Sequence, residues 1–250
     1  MGCLGQSSAT TSGGNNAASG TEEKKILVVV GPSGAGKDSI MSIEVNTNKN
    51  QFQKAVFHTT RTKKKGEKEG VDYYFVSKDD FTKMKENNEL IESKNNDDSE
   101  NSYGISVKEL QNGLKIDKIL YVIIDLDGAK AIKKLNIPAN YVSIVPPSEE
   151  ELKKRLESKT AEAKDQVNAA KDKAKEQANQ AKEQAKEQVN QAKEQINQKV
   201  DAAKKDLKAI KSNALFNIKV VNDDLNTAAA DFQKQLANCY PQIKITVGSS

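Results

Sequence analysis

The chain has 250 residues and a mass of 27.3 kDa, room for one full α/β domain with appendages. Its 39 basic against 35 acidic residues leave a net charge of +4, too slight an excess to point to a nucleic acid partner. No apolar run reaches the roughly 18 residues of a transmembrane helix, and the two cysteines, Cys3 and Cys239, offer no disulfide framework, so a reducing, cytoplasmic setting is expected.

In chain order, residues 1–23 are mainly Gly, Ser, Thr, Asn and Ala and read as a disordered tail. Ile26–Val30 is a continuous apolar run closed by Gly31, as expected of a buried parallel strand, and a glycine-rich turn then opens a helix near Lys37. Val71–Val76 reads as a strand; Ser77 with Asp80 is a capping signal for the helix carrying Phe81 and Met84. Ser106 caps a short helix that Gly113 ends. Ile119–Ile124 and Tyr141–Val145 are further buried strands, and Ser148 with Glu151 forms a capping box for a helix over Glu149–Leu156. Phe216–Val221 is another strand and Leu225–Leu236 the closing helix. Strands alternating with helices predict a doubly wound parallel sheet, with residues 24–250 as its domain.

The sharpest local signal is Gly31-Pro-Ser33-Gly34-Ala35-Gly36-Lys37-Asp38-Ser39, between a strand and a helix, the setting a P-loop requires. Its backbone N–H groups can turn onto phosphate oxygens, the helix N-terminus adds positive potential, and Lys37 reaches the β and γ oxygens. Asp38 stands where that pattern has a Mg²⁺-binding Ser or Thr; a carboxylate can also ligate Mg²⁺.

Further motifs follow: Thr59-Thr60-Arg61, Gly66-Glu67, Gly70, Asp72-Tyr73, Phe75-Val76-Ser77, Glu89-Leu-Ile-Glu92, Tyr103-Gly104, Asp125 with Gly128, Pro146-Pro147-Ser148 through Arg155-Leu156, and Val221-Asn222-Asp223-Asp224-Leu225. In order and spacing they resemble a guanylate kinase, from about Lys25 to Leu236 apart from the Ala- and Lys-rich stretch. The resemblance implies a P-loop fold with a small mixed α/β acceptor-binding subdomain at about 57–108. It also implies a helical lid, and transfer of a phosphoryl group from ATP to GMP with Mg²⁺. Arg61, Lys64, Tyr73 and Tyr103 would hold the acceptor phosphate, Glu92 would take the N1 and N2 donors of guanine, and Asp125 would lie near Mg²⁺ and the acceptor. Asn222 would lie at the ATP site, and Arg155 and Lys159 would reach the transferring phosphoryl. Positioning and cationic clamps are what this chemistry needs from a protein.

The chain departs from that family at several positions. Lys64 replaces an arginine, Phe57 and Ile105 stand where small hydroxyls contact guanine, with Ser106 beside the second, and Ile123 replaces an acidic residue. Arginine occurs only at positions 61 and 155, so the two lid arginines are replaced, the first by Lys159 and the second near Ala170 and Lys171. These departures leave two competing readings open: a membrane-tethered interaction module of the same fold with catalysis weak or lost, or a kinase with another acceptor.

The lid region, about 158–212, is rebuilt as one repetitive stretch. Apolar residues recur with an 11-residue period, as at Ala163, Ala174, Ala185, Ile196 and Leu207, which predicts a long helix with a weakly apolar stripe. Such a face suits a helical protein partner or a membrane surface. Met1-Gly2-Cys3-Leu4-Gly5-Gln6-Ser7 resembles the acylated N-termini of G-protein α subunits, which implies myristate on Gly2, palmitate on Cys3 and anchoring to the cytoplasmic face of a membrane.

Overall fold

We analysed a computed structural model that describes residues 24–96, 99–158, 180–241 and 244–246. The tail with Gly2 and Cys3, the lid positions Lys159, Ala170 and Lys171, and the repeats before Gln180 lie outside the described residues.

Five parallel strands form the main sheet, in the order β2 (Phe52–Lys54), β7 (Ile119–Ile123), β1 (Ile26–Val30), β8 (Ala139–Val145), β9 (Ile218–Val221). All five β1 residues are fully buried, because the sheet is covered on both faces. Alternation along β1 sorts them. Ile26, Val28 and Val30 face one core, built from α3 (Val107–Gly113), α4 (Leu126–Lys134), α5 (149–158) and the end of α6 (Gln180–Lys211). Leu27 and Val29 face the other, against α1 (Lys37–Thr47) and α7 (Leu225–Cys239). In α6, Val200, Ala203, Leu207 and Ile210 are buried, the last three in the first core, so the C-terminal end of the predicted stripe is the docking face of that helix.

A second, four-stranded sheet has the order β4 (Tyr73–Phe75), β3 (Phe57–Thr59), β6 (Ser99–Ser106), β5 (Leu90–Asn96). It is mixed: β3 runs parallel to β4 and antiparallel to β6. α2 (Lys78–Glu86) begins after Ser77, whose Oγ accepts the Asp80 N–H at 3.0 Å. Sequence reading found neither this sheet's β3, β5 and β6 nor β2 and α4. The expected strand over Val71–Val76 is trimmed to Tyr73–Phe75. Val71 and Asp72 belong to a turn, where both N–H groups donate to the Lys68 carbonyl and the Asp72 carboxylate accepts from the Lys68 N–H. The box at Ser148 and Glu151 is half made. Ser148 Oγ accepts the Glu151 N–H at 3.1 Å, while the Glu151 carboxylate accepts from Arg155 Nε at 2.8 Å.

Candidate active site

The loop after β1 is built around its lysine. Lys37 Nζ donates to the carbonyls of Gly31 at 2.8 Å and Pro32 at 3.0 Å, curling the side chain back over the loop. Gly36 holds a left-handed backbone, φ 86°, as it hands the chain to α1, and a Cβ there would collide with Asn222 Nδ2. That amide donates to the Ala35 carbonyl at 2.8 Å, so Asn222, buried after β9, braces the loop from below. Ser33, Asp38 and Ser39 are exposed on the loop and the first turn of α1. On the other side, Leu152 and Leu156 of α5 press on Gly34. Arg155 of the same helix is held by Glu151 and by the Asp223 carbonyl, 3.2 Å from its Nη2.

Opposite the loop, the small sheet gathers Arg61, Tyr73 and Tyr103. The guanidinium lies 5.3 Å from the Tyr73 ring centroid, and the two tyrosine rings meet edge-on at 5.9 Å. Glu67 pairs with both terminal nitrogens of Arg61, at 2.8 and 3.1 Å. This pairing pushes the arginine up, with help from Tyr103, and holds the Glu67 carboxyl below its usual range. Lys64 gives Glu67 its backbone N–H at 2.8 Å and leaves its side chain exposed.

Between these groups runs a cleft of about 250 Å³. Asp38 of the loop lines it together with Tyr73, Tyr103 and Asp72, and Phe57, Ile123, Ala55 and Lys54 complete its lining. Ile105 is fully buried in the main core, and Ser106 spends its hydroxyl oxygen capping α3, 3.2 Å from the Glu109 N–H.

Glu92 on β5 meets Asp125 at the N-terminus of α4 through a residue that sequence reading missed. Lys94 Nζ lies 3.0 Å from Glu92 Oε1 and 2.6 Å from Asp125 Oδ2. The other Asp125 oxygen accepts the Gly128 N–H at 2.7 Å. Burial pushes Glu92 up and the Asp125 charge adds to this, while Lys94 opposes both. Burial also acts on Asp125, yet the Gly128 N–H and Lys94 outweigh it and hold that carboxyl down. Asp206 of α6 feels the same cluster: burial and Asp125 raise it, against Lys94 and Lys37. Lys54, Lys94 and Asp206 had no motif to reveal them. Among the described residues no group of three or more His, Cys, Asp or Glu is placed to hold a metal ion.

The guanylate kinase family model matches residues 23–185. The guanylate kinase of Schizosaccharomyces pombe is 37% identical over 135 residues, 54% of this chain and 66% of that protein. That of Saccharophagus degradans is 39% identical over 153 residues, 56% of this chain and 72% of its own length. The crystal structure of guanylate kinase from Anaplasma phagocytophilum shares the fold, with a TM-score of 0.51 and 23% identity, over 87% of this chain and 86% of that one.

Proposed function

The chain belongs to the guanylate kinase family, and from that premise we propose that it transfers the γ-phosphoryl group of ATP to GMP, giving ADP and GDP. One observation carries the proposal: a single cleft is lined both by the phosphate loop's Asp38 and by the Tyr73–Tyr103 pair that stands beside Arg61. Donor and acceptor phosphates bound by those two groups would share one cleft, and holding them together supplies much of the catalysis.

In this reading the loop from Gly31 through Ser39 cradles the ATP phosphates, with Lys37 swinging from the Gly31 and Pro32 carbonyls onto their oxygens. Asn222 keeps the loop in shape. Arg155, steadied by Glu151, and Lys159 act on the transferring group from the lid. Arg61, Lys64, Tyr73 and Tyr103 take the GMP phosphate, Arg61 exchanging its Glu67 partner for a phosphate of matching fork geometry. Glu92 reads the base, with Asp125 linked to it through Lys94. A GMP phosphate oxygen attacks the γ-phosphorus, the bond to the β-γ bridging oxygen breaks, and ADP carries away the released electron pair. Bound at Asp38 and the phosphates, Mg²⁺ would neutralise charge during the transfer.

The test is ADP formation from Mg-ATP by the full chain with GMP, with AMP, or with neither. Turnover that requires GMP and vanishes in Lys37→Ala is expected; ATP binding without GMP-dependent turnover would overturn the proposal. A second reading keeps the chemistry with a different acceptor, favoured by Phe57 and Ile123 on the cleft wall, and the same assay over other nucleoside monophosphates tests it. Acylation of Gly2 and Cys3, and a membrane or helical partner for the part of the repeat ahead of Val200, are separate proposals that rest on the sequence. Mass analysis of the N-terminal peptide and vesicle co-sedimentation test them.

A further inference from the structure

Glu92 and Lys94 are two residues apart on β5 and so share a face of the small sheet. Lys94 Nζ reaches from that face to Asp125, the N-cap of α4 beside the main sheet, at 2.6 Å, and lies 3.0 Å from Glu92 Oε1. The Glu92 side chain is only 14% exposed, and its Oε2 rests against the first turn of α4, where a Cβ on Gly128 would come within 2.5 Å of it. An exposed ion pair is worth little, but a counter-charge on a carboxylate this enclosed has a strong hold on its ionisation.

We propose that Lys94 is a positioning residue for acceptor recognition: by bridging Glu92 and Asp125 across the seam between the two sheets, it holds the base-reading carboxylate charged and aimed. This inference rests on the reading of Glu92 as the group that accepts two N–H donors from the base. Only the carboxylate can accept both; a protonated carboxyl turns one oxygen into a donor and meets an N–H face with an N–H-like edge. Burial and Asp125 both drive Glu92 toward that protonated form, and Lys94 is the cation that counters them. The surrounding elements add mainly negative charge. Asp127 follows Asp125 on α4, and Asp206 approaches from α6, while Lys37 comes from the phosphate loop. Without Lys94, therefore, Glu92 would face the Asp125 charge, itself beside Asp206, without the cation that now lies between them.

The experiment uses the full chain as wild type, Lys94→Met, Lys94→Arg and Glu92→Gln, with kcat and KM for GMP and for ATP measured across neutral and alkaline pH. Lys94→Met removes the opposite charge 3.0 Å from Glu92, so KM for GMP should rise severalfold near neutrality. The excess should shrink as pH rises, with kcat at saturating GMP and KM for ATP nearly unchanged. Lys94→Arg should restore most of the affinity, since it keeps the charge. A KM for GMP that is unaltered, lowered, or raised equally at every pH in Lys94→Met would overturn the proposal. Glu92→Gln separates the two layers. If it leaves KM for GMP unchanged, the base-reading role of Glu92 fails and the inference falls with it. If it raises KM while Lys94→Met does not, only the role of Lys94 fails.

Discussion

Replacing Glu44 by glutamine should stabilise the protein at alkaline pH and change little in acid. Glu44 lies on α1 with no exposed surface, facing α7. Asn48 Nδ2 donates to its Oε1 at 2.8 Å, and its Oε2 has no hydrogen-bond partner. Burial pushes this carboxyl from its ordinary 4.5 up to about 7, against the pull of the Asn48 and Gln233 amides. The native state thus binds the proton more tightly than the unfolded chain does. Stability from this group is complete below the unfolded value, declines as pH rises, and is lost above about 7. A gap of 2.5 units at 1.36 kcal/mol per unit gives about 3 kcal/mol between roughly pH 4.5 and pH 8.5. Glutamine keeps the carbonyl for Asn48 and cannot ionise. Urea unfolding of both proteins at those two pH values gives the comparison, and taking the difference between proteins cancels every other titrating group. We expect a difference near zero in acid and about 3 kcal/mol in favour of Glu44→Gln in alkali. A difference that is the same at both pH values would refute the reasoning, because the destabilisation would then have nothing to do with a buried charge.

Three further outcomes follow from the geometry. In Gly128→Ala the new methyl would come within 2.5 Å of Glu92 Oε2 and Ile124 Cδ1, so KM for GMP should rise and stability fall by about 1–3 kcal/mol, read by steady-state kinetics and thermal melting. Arg61→Lys loses the fork that pairs with Glu67 and would grip a phosphate, so KM for GMP should rise about tenfold or more while KM for ATP holds. Tyr240→Phe removes the buried hydroxyl that donates to the Ile26 carbonyl at 3.0 Å and should lower the unfolding free energy by about 1–2 kcal/mol with activity intact.

The parts of the fold that were legible in the sequence are those where one local pattern decides the outcome. Ile26–Val30 is apolar at every position because both sheet faces are covered, and the glycines after it announce the phosphate loop. Ser77 and Ser148 cap helices as their spacing implies. β5 and β6 escaped because Leu90–Asn96 and Ser99–Ser106 carry Ser, Asn, Lys and Glu where a strand usually shows β-branched residues; pairing with each other and with β3 overrides that preference. Lys94 was invisible for a related reason. It sits in the run Lys94-Asn-Asn-Asp-Asp, which reads as a polar turn, and its partner Asp125 is brought to it only by the packing of α4 on β5. Glu44 gave no sign of burial either, since a charged residue in a helix ordinarily faces water.

β8 and β9 are immediate neighbours in the sheet, paired from Val142 with Ile218 to Val145 with Val221, although more than seventy residues separate them in the chain. Among the described residues of that connection, the grip on the core comes from its two stems: Leu152 and Leu156 on one side, and Val200 through Phe216 on the other. Eleven residues make about three helical turns, so a unit added or removed ahead of Val200 keeps the face that α6 turns to the core in phase. The eleven-residue unit is then a unit of growth. Duplicating or deleting one unit leaves both stems, and every strand register in the sheet, as they were, so this segment can be rewritten by evolution while the fold that carries the phosphate loop stays still.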